Sequence, residues 1–304
     1  MPNWCANRIK LTVSVYAQAE VEAWANGTMY PYYKRAINQS IRMFIAGVAG
    51  RLKPGIDMQY LPYPALTAHG CDEPTEAALA FGGWVAKLGS NAWLDKSCCH
   101  YIDQYYQATG LAGLKWDDLT ADEQTRVDAV MRIQSHDWSH LWLQTVNRGE
   151  VFDMLEAEPE GEMCDFRLIF PTRLACELNG FNGRLLERVQ SACDLYCANY
   201  GIKWPSASQA EITGGYGWLE IDMDTPWSPP DESVMEALSD RWGCTIDHYF
   251  SEAGGDYCGY RRYEEGRLVE CADDSLEYDE EDEHGWSDVI GPDWLLGNVP
   301  HYGG

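Results

Sequence analysis

Apolar and polar residues alternate at the start of the chain, with Ile9, Leu11 and Val13 on one side and Arg8, Lys10 and Thr12 on the other, the period of a half-buried strand over residues 8–13. Good helix formers follow over 17–26, and Gly27 is suited to a left-handed cap. From residue 30 the pattern turns helical. YYKRAINQSIRMFIAGVAGRL, EPTEAALAFGGWVAKLG and TADEQTRVDAVMRIQSHDWSHLWLQTV read as helices separated by Pro/Gly-containing breaks. In the third, Thr120 and Glu123 form a capping box, and Val127, Val130, Met131 and Ile133 make a buried stripe. A helical insertion over 30–150 is expected.

Beyond the polar stretch EAEPEGEMCD, FRLIFP (166–171) reads as a strand. Leu185, Leu186, Val189, Ala192, Cys193 and Cys197 read as the apolar face of a helix ending at Gly201, with both thiols facing a core. The period then shortens again. SQAEIT, the turn GGYG and WLEIDMDT form a hairpin whose second arm sets Leu219, Ile221 and Met223 against Glu220, Asp222 and Asp224. Ser228 is placed to cap a helix with Pro229 in its first turn, Val234, Leu238 and Trp242 along its buried stripe, and Gly243 closing it. CTIDHYFSE is a strand with Ile246, His248 and Phe250 facing inward, and YCGYRRY and RLVEC flank an EEG turn. The resulting βαββαβ order implies an α+β fold: a ferredoxin-like antiparallel sheet with helices on one face and an inserted helical subdomain. Residues 1–29 and 151–271 then form the ferredoxin-like domain, and 272–304 form an acidic tail whose last stretch, GPDWLLGNVPHYGG, is apolar enough to dock back.

Composition narrows the class. With 304 residues, 45% hydrophobic content, 13 Trp and 18 Tyr, the chain can bury a substantial core. Its 11 cysteines include no CxxC pair, so neither a disulfide framework nor a zinc ribbon is indicated. Reduced thiols, no long apolar run and no signal-like amino terminus lead to the expectation of a soluble cytoplasmic protein, away from membranes. Charge is unevenly spread: residues 1–150 carry 13 Lys+Arg against 15 Asp+Glu, whereas 151–304 carry 9 against 33, a net of −24.

Four segments, MPNWCANRIKLTV, YGIKWP, DMDTPWSPP and YFSEAGGDYCGY, together resemble the YubB ferredoxin-like domain family of bacterial plasmids and phages. The resemblance implies a ferredoxin-like fold and a mobile-element origin, and brings no reaction, cofactor or catalytic residue with it. The physics of Asn3-Trp4-Cys5, Lys203-Trp204 and Trp227-Ser228-Pro229 is that of packing.

Glu220, Asp222 and Asp224 should share one strand face at about 7 Å intervals, a line of charge comparable with a phosphate backbone. Asp231, Glu232, Glu236 and Asp240 lie nearby, and the run 273–283 contains Asp279, Glu280, Glu281, Asp282 and Glu283. The leading expectation is a non-enzymatic mobile-element protein that inhibits a basic host protein, such as a defence nuclease, through a DNA-mimicking surface. The same strand carboxylates could instead serve a metal-dependent enzyme acting on nucleic acid or nucleotides, and a third reading is a homo-oligomeric scaffold. His136 and His140 have zinc-compatible spacing, with Cys98, Cys99 and His100 as further donors, but HDWSH lacks the glutamate of HExxH. No GxGxxG, GxxxxGK[ST] or GxSxG signature is present, so no cofactor or catalytic residue is assigned, and the charge opposes direct nucleic-acid binding.

Overall fold

A computed structural model describes residues 3–134, 138, 147–280 and 287–304. The chain divides into two compact units. The first comprises Met1–Tyr30, Glu160–Phe170 and Tyr196–Gly304; the second comprises Pro31–Pro159 and Pro171–Leu195. The helical insertion therefore extends beyond residue 150 and takes in 171–195, which the sequence pattern assigns to the ferredoxin-like part.

The first unit is built on a six-stranded antiparallel sheet. Its strands are β1 (Trp4–Thr12), β2 (Ala210–Gly215), β3 (Trp218–Pro226), β4 (Thr245–Glu252), β5 (Tyr257–Glu264) and β6 (Arg267–Asp274), in the spatial order β2-β3-β1-β4-β5-β6. The first four in that order reproduce the ferredoxin-like arrangement, and the β5–β6 hairpin extends it. Cys5, Asn7, Ile9 and Leu11 of β1, Leu219, Ile221 and Met223 of β3, and Ile246, His248 and Phe250 of β4 are buried on one face. Two helices, α1 (Val15–Ala25) and the helix Glu232–Trp242, supply Val21, Trp24, Val234, Met235, Leu238 and Trp242 to that core, and the Trp24 and Trp242 rings lie 5.4 Å apart. On the other side, Leu276, Leu295 and Val299 of the carboxy-terminal segment form a small apolar cluster with Cys258, joined by Tyr249, Trp294 and Tyr302. This segment contains a two-stranded sheet of Glu277–Tyr278 and Val289–Gly291.

Three local expectations change. Residues 166–171 form no strand; Phe166–Leu168 is a single 3₁₀ turn, because the buried Asp165 carboxylate accepts from the Arg167 backbone N–H at 3.1 Å and from Arg167 Nε at 2.8 Å. The helix expected from Leu185 starts only at Ala192. Leu185 and Leu186 are buried in a loop whose N–H groups donate to Asn179 Oδ1 at 3.0 and 2.6 Å, and Cys197 is exposed and Cys193 half-buried rather than core-facing. The helix Glu232–Trp242 is capped by Asp231, which accepts from Ser233 N, and not by Ser228, whose hydroxyl donates to Gly201 O. Two successive prolines, Pro229 and Pro230, push the helix start past the earlier candidate.

The second unit contains α2 (Tyr32–Ala49), α3 (Glu76–Gly89), α4 (Lys96–Ala108), α5 (Ala121–Ile133), α6 (Arg148–Met154) and α7 (Leu174–Asn179). Then α8 (Ala192–Tyr200) returns the chain to the first unit, where Glu232–Trp242 is α9. The Thr120–Glu123 capping box is formed, and Val127, Val130 and Met131 are buried. Arg42 of α2 is 1% exposed, with its guanidinium 2.9 Å from Glu156. It donates to the Leu114 and Phe152 carbonyls at 2.6 and 3.3 Å and stacks 4.5 Å from the Phe152 ring. This one side chain ties α2 to the loop after α4 and to α6. Removing it leaves the Leu111, Leu114 and Phe152 carbonyls without this donor, while Glu156 keeps Arg35 and the Tyr106 hydroxyl, so Arg42→Ala should destabilise this unit by about 3 kcal/mol. Urea unfolding followed by circular dichroism checks this, and a loss below about 1 kcal/mol would show that the network is dispensable.

His248 gives the ferredoxin-like core a pH dependence. Asn7 Nδ2 donates to Thr225 Oγ1 and to the Cys5 carbonyl, both at 2.8 Å, which leaves Asn7 Oδ1 to accept from His248 Nε2–H at 3.0 Å. Its Nδ1 is buried without a hydrogen-bond partner, and burial together with the charge of Arg261 lowers the pKa from 6.5 to about 3, so the imidazole is neutral. Above about pH 6.5 the group is neutral in both folded and unfolded chains and its contribution is complete. As the pH falls toward 3, only the unfolded chain takes up the proton, so stability drops by about 1.4 kcal/mol per unit. The urea midpoint should fall between pH 7 and 5, and His248→Phe should flatten that slope. Parallel pH profiles for the two proteins would contradict the assignment.

Candidate functional site

The carboxylates of β3 point where the alternation places them. Glu220, Asp222 and Asp224 lie on the face opposite Leu219, Ile221 and Met223, and register sets Lys10 opposite Glu220, Arg8 opposite Asp222 and Ala6 opposite Asp224. Arg8 grips Asp222 with two parallel bonds, Nε to Oδ1 and Nη2 to Oδ2, each 2.7 Å, and also lies 3.4 Å from Glu220. Lys10 stands 3.9 Å from Glu220 and 5.3 Å from the Tyr249 ring. The bond to Asp222 raises the Arg8 pKa further above its ordinary value. On the far side, Asp247 of β4 accepts from Tyr260 Oη at 2.7 Å and pairs with Arg262 of β5 at 3.1 Å, and Arg262 stands opposite Glu270 of β6. Charge thus changes sign from strand to strand across β3, β1, β4, β5 and β6. The β3 row is cross-strand paired, not a bare line of charge, and both oxygens of Asp222 are committed to a cation.

Asp224, at the end of the row, differs. Gly303 N–H donates to His301 Nδ1 at 3.1 Å, so the proton of that neutral imidazole sits on Nε2, 2.8 Å from Asp224 Oδ1. A neutral donor orients this carboxylate and leaves its charge intact.

The remaining acidic candidates lie elsewhere. Asp231, Glu232 and Asp240 are exposed on α9, which lies beside the β5–β6 hairpin: Glu236 accepts from Leu268 N at 3.1 Å, and Arg261 bridges Glu232 and Asp273 at 2.9 and 2.7 Å. Asp279 and Glu280 are exposed, with Asp279 accepting from Asp288 N at 2.7 Å. Glu281, Asp282 and Glu283, like His136 and His140, lie outside the described residues. Cys98 and Cys99 are buried in α4, where desolvation raises both thiol pKa values, whereas His100 is exposed. Among the described residues, no group of three or more His, Cys, Asp or Glu side chains is arranged to hold a metal ion.

A groove of about 650 Å³ opens at the end of the sheet where β1 begins and β3 ends. Trp4, Met163, Trp204 and Pro226 form its apolar lining, with the Glu162 and Asp224 carboxylates and the Ser206 and Ser208 hydroxyls among them. The Trp4 and Trp204 rings are 6.2 Å apart and inclined at 31°. Lys203 lies 5.3 Å from Trp204 and 5.7 Å from Trp227, whose N–H donates to Asn3 O and whose carbonyl accepts from Tyr257 Oη. One wall is held largely by backbone contacts, with Arg167 Nη2 reaching Glu162 and Ser206 Oγ. Ala207 N donates to Met163 O at 2.9 Å and Cys164 N to Trp24 O at 3.2 Å, while a Cβ on Gly161 would come within 2.1 Å of Gly27 O. Sequence reasoning noted Trp4, Trp204 and Trp227 as packing residues, and missed the groove because Glu162 and Met163 arrive from a segment with no periodic signal.

These features coincide with known proteins. A family described as "Protein of unknown function (DUF1281)" matches residues 30–204, and one described as "Ferredoxin-like domain in Api92-like protein" matches residues 199–293. The chain belongs to the DUF1281 family. It is similar to the uncharacterized protein YubB of Escherichia coli K12, 39% identical over 46% of this chain and 98% of that protein, and to YubA of the same organism, 32% identical over 47% and 84%. The crystal structure of api92 from Yersinia pseudotuberculosis shares the fold with a TM-score of 0.86 and 34% identity, over 91% of this chain and 99% of that one. The ferredoxin-like match starts at residue 199, yet the sheet is completed by β1 and the helical layer by α1, from the amino terminus.

The Arg8–Asp222 pair carries a direct expectation. Asp222→Asn should cost about 1 kcal/mol, because the bidentate pair is mostly shielded from water, whereas Glu220→Gln should change stability by less than about 0.5 kcal/mol. Urea midpoints measure both, and equal effects would mean that the pair has no special weight.

Proposed function

We propose that this protein is a non-catalytic binding protein that docks on a basic, nucleic-acid-handling host protein through the acidic flank of its ferredoxin-like unit. The carrying observation is where the charge lies. The ferredoxin-like unit holds 8 Lys+Arg against 29 Asp+Glu, a net of −21, while the helical unit holds 14 against 19. On the sheet face opposite the helices, opposite charges meet from β3 to β6, with Glu211 of β2 facing Asp222 at the edge, and further carboxylates crowd α9, the β5–β6 hairpin and the segment around Asp279 and Glu280. Such a flank speeds approach of an Arg/Lys-rich surface and competes with phosphates for it. The plasmid and phage setting implied by the resemblance makes a defence nuclease the leading class of partner, with inhibition following from occupation of its DNA groove. The carboxylates on edge strand β6, Glu270, Asp273 and Asp274, disfavour assembly of copies edge to edge, which speaks against the scaffold reading.

The test compares the protein with a variant carrying Glu232→Gln, Asp240→Asn, Glu270→Gln, Asp279→Asn and Glu280→Gln as bait in bacterial lysate at low and high salt. The expected result is a basic nucleic-acid-binding protein that high salt elutes from the unaltered bait and that the variant retains about tenfold less. Equal capture by both baits, or capture indifferent to salt, would overturn the proposal.

A further inference from the structure

We propose that the groove between Trp4 and Trp204 is a receptor for an arginine side chain of the basic partner, with Asp224 as its charge acceptor. This rests on the reading of the protein as a binder of basic proteins and adds the residue it recognises and where.

The chemistry of the lining selects the ligand. Two indole rings 6.2 Å apart offer flat, electron-rich faces, and cations pack on such faces. Lys203, which does not line the groove, already lies 5.3 Å from the Trp204 ring, so that indole receives a cation within the chain itself. The two carboxylates are not equivalent. Glu162 is 2.5 Å from Arg167 Nη2, a cation it shares with the buried Asp165. Asp224 is held by the neutral His301, stands opposite Ala6 on β1, and brings its negative charge to a recess that also holds Glu162 and two serine hydroxyls among apolar side chains. A small apolar ligand would leave that charge unanswered, and a phosphate would be repelled by it and by the net −21 of the unit. A guanidinium satisfies both parts, because its plane stacks on an indole while its edge donates to a carboxylate. A lysine ammonium matches the charge but has no plane to stack. The volume, about 650 Å³, admits one long side chain together with the backbone that carries it.

The backbone around the groove suits a preformed receptor. Trp4 O accepts from Gly304 N at 3.0 Å, and Ser251 Oγ donates to His301 O at 3.3 Å, so the carboxy-terminal segment that orients Asp224 is itself tied to β1 and β4. Little ordering is left for the moment of binding.

The experiment is a titration of the full chain, labelled with nitrogen-15 in its indoles, with three capped peptides identical except for a central arginine, citrulline or lysine. The expected result is movement of the Trp4 and Trp204 indole signals with arginine, at least tenfold weaker binding of citrulline, and intermediate binding of lysine. Asp224→Asn, which keeps an acceptor for His301, should bring the arginine peptide down to the citrulline level while the undisturbed indole signals report an intact fold. Trp204→Ala should weaken all three peptides. Equal binding of arginine and citrulline, an unchanged Asp224→Asn protein, or shifts confined to other tryptophans would each overturn the proposal. The two tests fail separately: the bait variant leaves the groove intact, and the peptides require no host partner.

Discussion

From β3 to β6, the sheet face opposite the helices is organised by one constraint, that neighbouring strands carry opposite charges, while at the β2 edge Glu211 stands opposite Asp222 and Arg8 meets the charge. Arg8 and Lys10 of β1 stand between Glu220 and Asp222 on one side and Asp247 on the other, and Arg262 repeats the arrangement one strand further out. Like charges facing each other at cross-strand distance destabilise a sheet, and opposite ones support it. A unit with a net charge of −21 therefore keeps its central strands together by placing its few cations between acidic neighbours and moving the excess to α9 and the outer hairpin. The site that emerges is a consequence of this economy. Asp224 is the member of the row whose neighbour on β1 is Ala6, not a cation, and it takes its contact from His301.

Beneath the sheet, polarity is handled differently. Asn7 and His248 form a buried pair with a single proton arrangement that satisfies Asn7, and Arg42 plays a comparable part in the helical unit by collecting carbonyls from separate segments. Both are polar groups whose geometry fixes which segments meet, whereas the surrounding leucines and tryptophans contribute most of the burial.

Much of this architecture could be read from residue patterns. Strands β1, β3 and β4 alternate cleanly, and their order with α1 and α9 suffices for the ferredoxin-like topology. The Thr120–Glu123 box announces α5. Helix α4 escaped notice because its buried stripe consists of Cys98, Cys99, Ile102 and Tyr106, side chains that do not register as an aliphatic period. FRLIFP has the composition of a strand, and only the Asp165 side chain, by bonding to its own neighbours, bends it into a turn. Outward orientation of Glu220, Asp222 and Asp224 follows from alternation alone, but their pairing with Arg8 and Lys10 depends on register between strands remote in sequence. The groove was less visible still, since its walls come from four stretches remote in sequence, one of them seated by the close backbone approach of Gly161 to Gly27.

The central place of β1 has a consequence for how the protein is made. Both of its neighbours, β3 and β4, lie on the far side of the helical unit, and Arg8 and Asp222 are 214 residues apart. At a synthesis rate of about 5–20 residues per second, the first strand waits on the order of 10–40 s with both hydrogen-bonding edges open before its partners leave the ribosome. The helical unit, whose contacts are mostly available sooner, can collapse in the meantime. A nascent chain of this design is most exposed to strand-pairing errors before its last third is complete, and Arg8 and Lys10, unpaired during that interval, supply the charge that discourages them.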